Sequence, residues 1–304
     1  MGKQRIHLGE LLFLTCIIGS GAVIILMMGL VVMQLLVHAW PAIWRFGPAV
    51  LWTAKWQPEH QIFGLWPFIF ATVSSSAIGV FLASVIGTAT AIIISRIRIR
   101  WLRIFSSGLV QWLALIPSVV FGLWGIKFVA PMLSLLIGMQ NITKRSMLVD
   151  VEGLFLTGLT LAAMLLPTIV AVTRETLIAV PQSLIEGALA LGATVNEATI
   201  KVVLPYARRG IFGAVFLALG RALGETVAVV MVIGSQPKLA VTLFTKTDTL
   251  TSLLATKWNH MSGFYSQSIL FEAGFLLFIL TFIFYAVARI YVPRSITAAR
   301  LQLW

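Results

Sequence analysis

Six apolar runs, each long enough to cross a bilayer as a helix, dominate this 304-residue chain and leave few folds open to it. A hydrocarbon layer of about 30 Å needs roughly 20 apolar residues of helix. Inside that layer every backbone N–H and C=O must be satisfied by the chain itself, which confines spanning segments to helices or closed barrels. The runs fall at about 11–37, 68–95, 104–129, 154–172, 211–233 and 269–292. The first is about twice the roughly 7–15 residues of a signal-peptide core, so it is expected to stay as a spanning helix. With 59% hydrophobic and 11% charged residues, the composition fits a polytopic membrane protein and not a soluble globule. Ile116-Pro117-Ser118 lies inside the third run, where proline removes a backbone donor, and predicts a kinked or broken helix. Trp40, Trp44, Trp52, Trp56 and Trp66, interleaved with prolines, predict chain lying along the membrane–water interface.

The formal charge of +12 would suggest a nucleic-acid partner in a soluble protein. Between membrane spans it reads instead as loops enriched on the cytoplasmic side, so no nucleic acid is expected and membrane lipid is. With the N-terminus inside, the inner segments carry Lys3, Arg5, Arg96, Arg98, Arg100, Arg103, Arg174, Lys201, Arg208, Arg209, Arg289, Arg294 and Arg300. The outer ones carry Arg45, Lys55, Lys127, Lys144, Arg145, Lys238, Lys246 and Lys257 over longer stretches. That bias predicts both termini in the cytoplasm. The single cysteine, Cys16, permits no internal disulfide. His7, His38, His60 and His260 are scattered without a metal-binding spacing, and neither H-E-x-x-H nor G-x-S-x-G occurs.

One long interval between spans, residues 181–205, looks soluble. Ser183 with Glu186 forms S-x-x-E, the pattern of a capping box, and predicts a short helix. Gly192 suits the left-handed conformation that ends such a helix. Thr194 with Glu197 then predicts a second capped helix, closed by Pro205, with Val195, Ala198, Thr199 and Val202 on one mostly apolar face. The product is a two-helix elbow. The alternative is an ordinary amphipathic loop resting on the membrane surface.

Arg221 and Glu225 stand inside the fifth apolar run. At about 1.5 Å per residue, Arg221 lies roughly 15 Å from Ile211, near the membrane middle, with Glu225 about 6 Å further on. A charge there costs at least about 2.5 kcal/mol, so such residues face a bundle interior or a water-filled path. They are expected either to line a substrate path or to form a helix-packing ion pair. Arg before Glu is the less favourable order for a pair four residues apart.

The elbow resembles the coupling motif of type I ABC importer permeases, E-A-A, three residues, G, nine residues, then I-x-L-P. It reads here as Glu186, Gly187, Ala188, then Gly192, then Val202-Val203-Leu204-Pro205, with Gly187 and Val202 departing from the motif. Gly220-Arg221-Ala222-Leu223-Gly224-Glu225-Thr226 is similar to the G-R-A-x-G-E-T segment of phosphate-specific ABC importer permeases, and the following Val227-Ala228-Val229 favours their C-type member. Arg174-Glu175-Thr176-Leu177 and Ile116-Pro117-Ser118 are also similar to that family.

The resemblance implies an all-α polytopic membrane protein of six transmembrane helices, a single permease domain over 1–304, in a bacterial inner membrane. It implies a non-enzymatic transport subunit that passes inorganic phosphate along a path carrying Arg221 and Glu225. Coupling would run through Glu186, Gly187, Ala188, Gly192, Leu204 and Pro205. The implied partners are an A-type phosphate permease, an ABC ATPase dimer that binds ATP and Mg, and an extracytoplasmic phosphate-binding protein. No G-x-x-x-x-G-K-[ST] occurs in this chain, so no cofactor is expected in it. A permease for sulfate, molybdate or phosphonate, and an ion-driven secondary transporter, are the alternatives.

Overall fold

The computed structural model describes residues 8–97, 99–136, 151–259, 261 and 263–291. Lys3, Arg5, His7, Arg98, Lys144, Arg145, His260, Arg294 and Arg300 lie outside the described residues, as do both chain ends. Among the described residues, six helical stretches have the length and apolarity of a membrane crossing: Phe13–Leu51, Trp66–Arg96, Ser118–Leu136, Leu154–Ile178, Val195–Gly224 and Phe264–Ile290.

The first helix, α1 (Leu8–Phe46), runs beyond the expected end at residue 37 and carries Trp40, Pro41 and Trp44 within it. Phe13, Ile18, Ile25 and Met28 are all more than half exposed. This apolar early part of α1, left uncovered by its own chain, requires lipid or a partner subunit, whereas further along His38 stacks on Phe271 and Ala39 and Ala42 are fully buried. After a short 3₁₀ turn, a two-residue ribbon pairs β1 (Trp56–Gln57) with β2 (Ile62–Phe63). Trp56 is not an interfacial anchor. It is 9% exposed and packs edge-on against Phe63 and Phe68, at 5.5 and 5.0 Å between ring centres. Trp40, Trp44 and Trp52 remain exposed as expected.

The centre of the protein is the parallel pair α2 (Trp66–Arg96) and α6 (Leu154–Ile178). The buried face of α2 recurs every fourth residue and is built of small side chains: Ala71, Ser75, Gly79, Ala83, Gly87 and Ala91. Small residues let backbones approach in a membrane, where packing and not the hydrophobic effect holds helices together. A Cβ at Gly79 would lie 2.8 Å from the Leu161 Cβ, so nothing larger than glycine fits there. The buried hydroxyls of Thr72, Ser75, Thr157 and Thr160 donate to carbonyls four residues back within their own helices. These four hydroxyls are thereby satisfied without a partner helix.

The third crossing is longer than 104–129 and broken, as Pro117 predicts. It comprises α3 (Arg100–Ala114), α4 (Ser118–Trp124), a wide π turn (Gly125–Val129) and α5 (Ala130–Leu136). Its direction opposes α6 throughout. Ser107 and Val110 share a small cavity with Val170 and Arg174, Phe121 packs with Leu161 and Leu165, and Val129 packs with Leu156. Proline disfavours helical backbone in the residue before it, so α3 stops short of Pro117, which becomes the N-cap of α4.

In the elbow, α7 (Gln182–Ala190) is followed by α8 (Val195–Ala198), a π turn (Thr199–Val203) and α9 (Leu204–Gly224). Two expectations fail here. Ser183 does not cap α7: the N-cap is Pro181, whose fixed φ of −57° starts the helix two residues earlier. Pro205 does not close the elbow either, because α8 runs through the π turn into α9 without a stop. The proline ring would press on the carbonyl four residues back and cannot donate to it. The wide turn just before it, where the Leu204 N–H donates to the Thr199 carbonyl, accommodates both defects. Its extra residue moves the buried position from Val202 to Val203.

The fifth run is likewise not one helix over 211–233. It ends at Gly224, passes through extended backbone at Glu225, and resumes as α10 (Val227–Val232). The segment beyond it, for which the sequence offered no pattern, folds back into the protein as α11 (Leu250–Lys257), packed on α2, α10 and α12 (Phe264–Tyr291). Thr247, Asp248, Thr249, Thr251 and Ser252 are all at most 5% exposed. The Leu250 N–H donates to Thr72 Oγ1 at 2.9 Å, and Ser252 Oγ donates to Asp248 Oδ1 at 2.7 Å. Burial pushes the Asp248 carboxyl above its ordinary pKa.

Candidate functional site

The elbow presents an uncovered surface. On α7, Glu186 and Gly187 are exposed, Ala188 is half-buried, and Leu184, Leu189 and Leu191 are 42, 39 and 91% exposed. Gly192 has φ +89°, and the helix end is a Schellman motif: Ala193 N–H donates to Ala188 C=O and Gly192 N–H to Leu189 C=O. Thr194 and Glu197 form the expected capping box, with Glu197 Oε2 taking the Thr194 N–H at 2.9 Å. Leu204 and Pro205 open α9.

Two links join this elbow to the central pair. The apolar one is a cluster of Ala91, Ile94, Val170, Leu177, Val180, Val203 and Ala207. The polar one is Arg96, at the end of α2, whose Nη1 donates to the Val195 carbonyl at 3.3 Å.

Arg221 and Glu225 do not meet as a pair on one helix, because α9 ends between them. Arg221 Nη1 donates to Thr168 Oγ1 on α6 at 3.2 Å. Thr168 is ten residues from Ile178 and fourteen from Leu154, hence about 15 and 21 Å from the ends of α6. The guanidinium is therefore held near mid-depth. It is exposed on the face of α9 that, with α12, forms a groove of about 530 Å³ lined by Gly213, Phe216, Leu217, Gly220, Arg221, Tyr285, Ala288 and Arg289.

Glu225 is half-buried at the helix break, and its Oε1 accepts the Ala228 N–H at 3.2 Å, capping α10. Its own carbonyl, left without a helical partner, accepts the Thr251 hydroxyl at 2.9 Å. A single hydrogen bond to Thr168 leaves the guanidinium with further N–H donors for an oxyanion, and the carboxylate beyond the break can accept from a protonated one.

Sequence reasoning missed Thr168 and Thr251, which position these two charges from distant segments. Pro167-Thr168 in mid-span and the hydroxyl-rich 247–252 were the available signals. It also passed over Glu272 in the sixth run, 5% exposed, with Oε2 lacking a hydrogen-bond partner.

The pattern of the binding-protein-dependent transport system inner membrane component matches residues 83–297. The chain belongs to this family. Among binding-protein-dependent inner membrane components, it is 33% identical over 296 residues to the phosphate transport system permease protein PstC of Mesorhizobium japonicum, covering 94% of this chain and 90% of that one. It is 34% identical to the PstC of Pasteurella multocida, covering 95 and 93%. Its fold is similar to that of a chain of the bacterial alginate ABC transporter (TM-score 0.63, 13% identity, 96 and 98% covered). A chain of the MetNI methionine ABC transporter is also similar (TM-score 0.56, 21% identity, 79 and 100% covered). The predominantly helical, six-span architecture is thus that of ABC importer permeases in this inner-membrane family.

Proposed function

We propose that this chain is the membrane-spanning permease subunit of an ATP-driven importer, forming the path by which inorganic phosphate reaches the bacterial cytoplasm. The observation that carries the reading is Arg221: a guanidinium near mid-depth, anchored by Thr168 and open on a mostly apolar groove. Arginine's planar fork suits tetrahedral oxyanions, and a charge held at that depth is costly and marks a substrate or ion path. Glu225 accepts a hydrogen bond from the P–O–H group of protonated phosphate, a donor that fully ionised sulfate lacks. The relatives named as phosphate permeases, with high coverage of both chains, support phosphate over sulfate, molybdate or phosphonate.

The uncovered elbow, with Glu186, Gly187, Ala188, Gly192, Leu204 and Pro205, serves as the docking element for one subunit of an ABC ATPase dimer. That dimer binds the ATP and Mg. The basic residues that share the elbow end, Arg96, Arg100, Arg103, Arg208 and Arg209, support a cytoplasmic elbow and cytoplasmic termini. An A-type permease completes the membrane pair, and an extracytoplasmic phosphate-binding protein delivers substrate at the opposite end. The test is copurification with these partners, followed by ATPase assays over several oxyanions presented on the binding protein. Stimulation by phosphate and not by sulfate or molybdate is the expected result; equal stimulation by all three would refute the substrate assignment.

A further inference from the structure

The groove that exposes Arg221 holds a second cation on its opposite wall. Arg289, in the last turn of α12, lines it together with Tyr285 and Ala288. α9 and α12 run antiparallel: Gly224 shares a cavity with Gly274 and Leu277, whereas Gly213 shares the groove with Ala288 and Arg289. Tyr285 faces Gly220 in a third, small cavity between the two helices. Arg289 is one turn beyond Tyr285 on the same face, so it lies about 6 Å nearer the elbow end. Among the described residues Arg289 makes no hydrogen bond or ion pair.

We infer that Arg289 is a second oxyanion station, which takes a phosphate group from Arg221 on its way to the elbow end. The inference rests on the phosphate-path reading. An anion held by one strong site leaves slowly, whereas adjacent weaker sites let it enter and depart. Two guanidinium groups on facing helices, about a turn apart, provide that arrangement in a groove whose remaining lining is almost wholly apolar. Arg289's place near a membrane surface also suits a lipid phosphate, the one other source of the same chemistry. The two sources differ in what displaces a reagent from the groove.

The experiment uses the assembled transporter in nanodiscs, with Cys16→Ser and Leu217→Cys in this chain, Leu217 lining the same groove. A water-soluble cationic thiol reagent is applied with and without inorganic phosphate, and modification at position 217 is read by peptide mass spectrometry with Arg289 present and in Arg289→Gln. Modification slowed about fivefold or more by phosphate and not by sulfate, with that protection lost in Arg289→Gln, is the expected result. An inaccessible thiol, one unprotected by phosphate, or one protected only on adding anionic lipid would overturn the station. In parallel, Arg289→Gln should lower phosphate uptake about tenfold, the scale of one lost charge-assisted hydrogen bond. Arg289→Lys should restore most of it, and Arg208→Gln, an exposed arginine at the same end outside the groove, should stay near the parental rate. Equal losses in Arg208→Gln and Arg289→Gln would mark a surface-charge effect and refute the inference. Failure of the station alone leaves Arg221→Gln impaired; failure of the phosphate path leaves Arg221→Gln active as well.

Discussion

Thr251→Val removes one hydroxyl from a place where nothing replaces it. The side chain is 5% exposed, and its Oγ1 donates at 2.9 Å to the Glu225 carbonyl, which the end of α9 leaves without a helical partner. Valine fills nearly the same volume, so no cavity opens and the change falls on the hydrogen bond. Losing it and stranding a buried acceptor costs about 1–3 kcal/mol. The contact to Thr249 Oγ1 at 3.0 Å goes with it.

If that cost falls on the arrangement that holds Glu225 at the helix break, the competent population drops by about 5- to 150-fold, at about 1.4 kcal/mol per decade. The assay is radiolabelled phosphate uptake by the reconstituted complex, with expression matched by immunoblot. Thr251→Ser, which keeps the hydroxyl, should restore uptake to within a few-fold of the parent. Parental uptake in Thr251→Val, or equal loss in the valine and serine variants, would refute the claim that this hydroxyl positions Glu225.

Gly192→Val forces a β-branched residue to φ +89°, at about 1–2 kcal/mol, yet nothing lies within 4 Å of the added Cβ. Membrane insertion should therefore be intact while phosphate moved per ATP falls severalfold, a ratio measured from paired uptake and ATPase rates. Arg96→Ala cuts the polar link from α2 to Val195 and should lower the same ratio, with Arg96→Lys intermediate; an unchanged ratio would leave the apolar cluster as the sole link. Asp248 has a folded-state pKa raised above 3.8 by burial, so the folded form holds its proton more tightly than the unfolded one. Stability from this group is greatest at low pH and declines as pH rises from about 3.8 through the folded value, and Asp248→Asn should flatten that slope in thermal unfolding scans.

What the sequence made legible was local or imposed by lipid. Run length gave six crossings because the bilayer sets the length of any helix that crosses it. Gly192 and the Thr194–Glu197 box were readable because their partners lie within three or four residues. The Ser183 box was misread because Pro181 starts the helix earlier, and the role of Pro205 was misread because a π turn absorbs a proline that would otherwise stop a helix. The break at Glu225 depends on Thr251, twenty-six residues away, and the anchor of Arg221 depends on Thr168, fifty-three residues away. Neither contact leaves a periodic signal. The fold of 247–257 was hidden for the same reason: hydroxyl-rich segments usually mark loops, and Thr247 to Ser252 are buried only because α2, α10 and α12 supply partners for the segment.

The central claim, that an arginine near mid-membrane carries the transported anion, is tested most directly by phosphate flux in Arg221→Gln and Arg221→Lys within the assembled complex. Glutamine keeps a donor for Thr168 but loses the charge; lysine keeps the charge but loses the planar fork. Uptake should fall by about tenfold or more in Arg221→Gln, the scale of a lost charge-assisted contact, and persist in part in Arg221→Lys. Parental phosphate flux in Arg221→Gln would contradict the account.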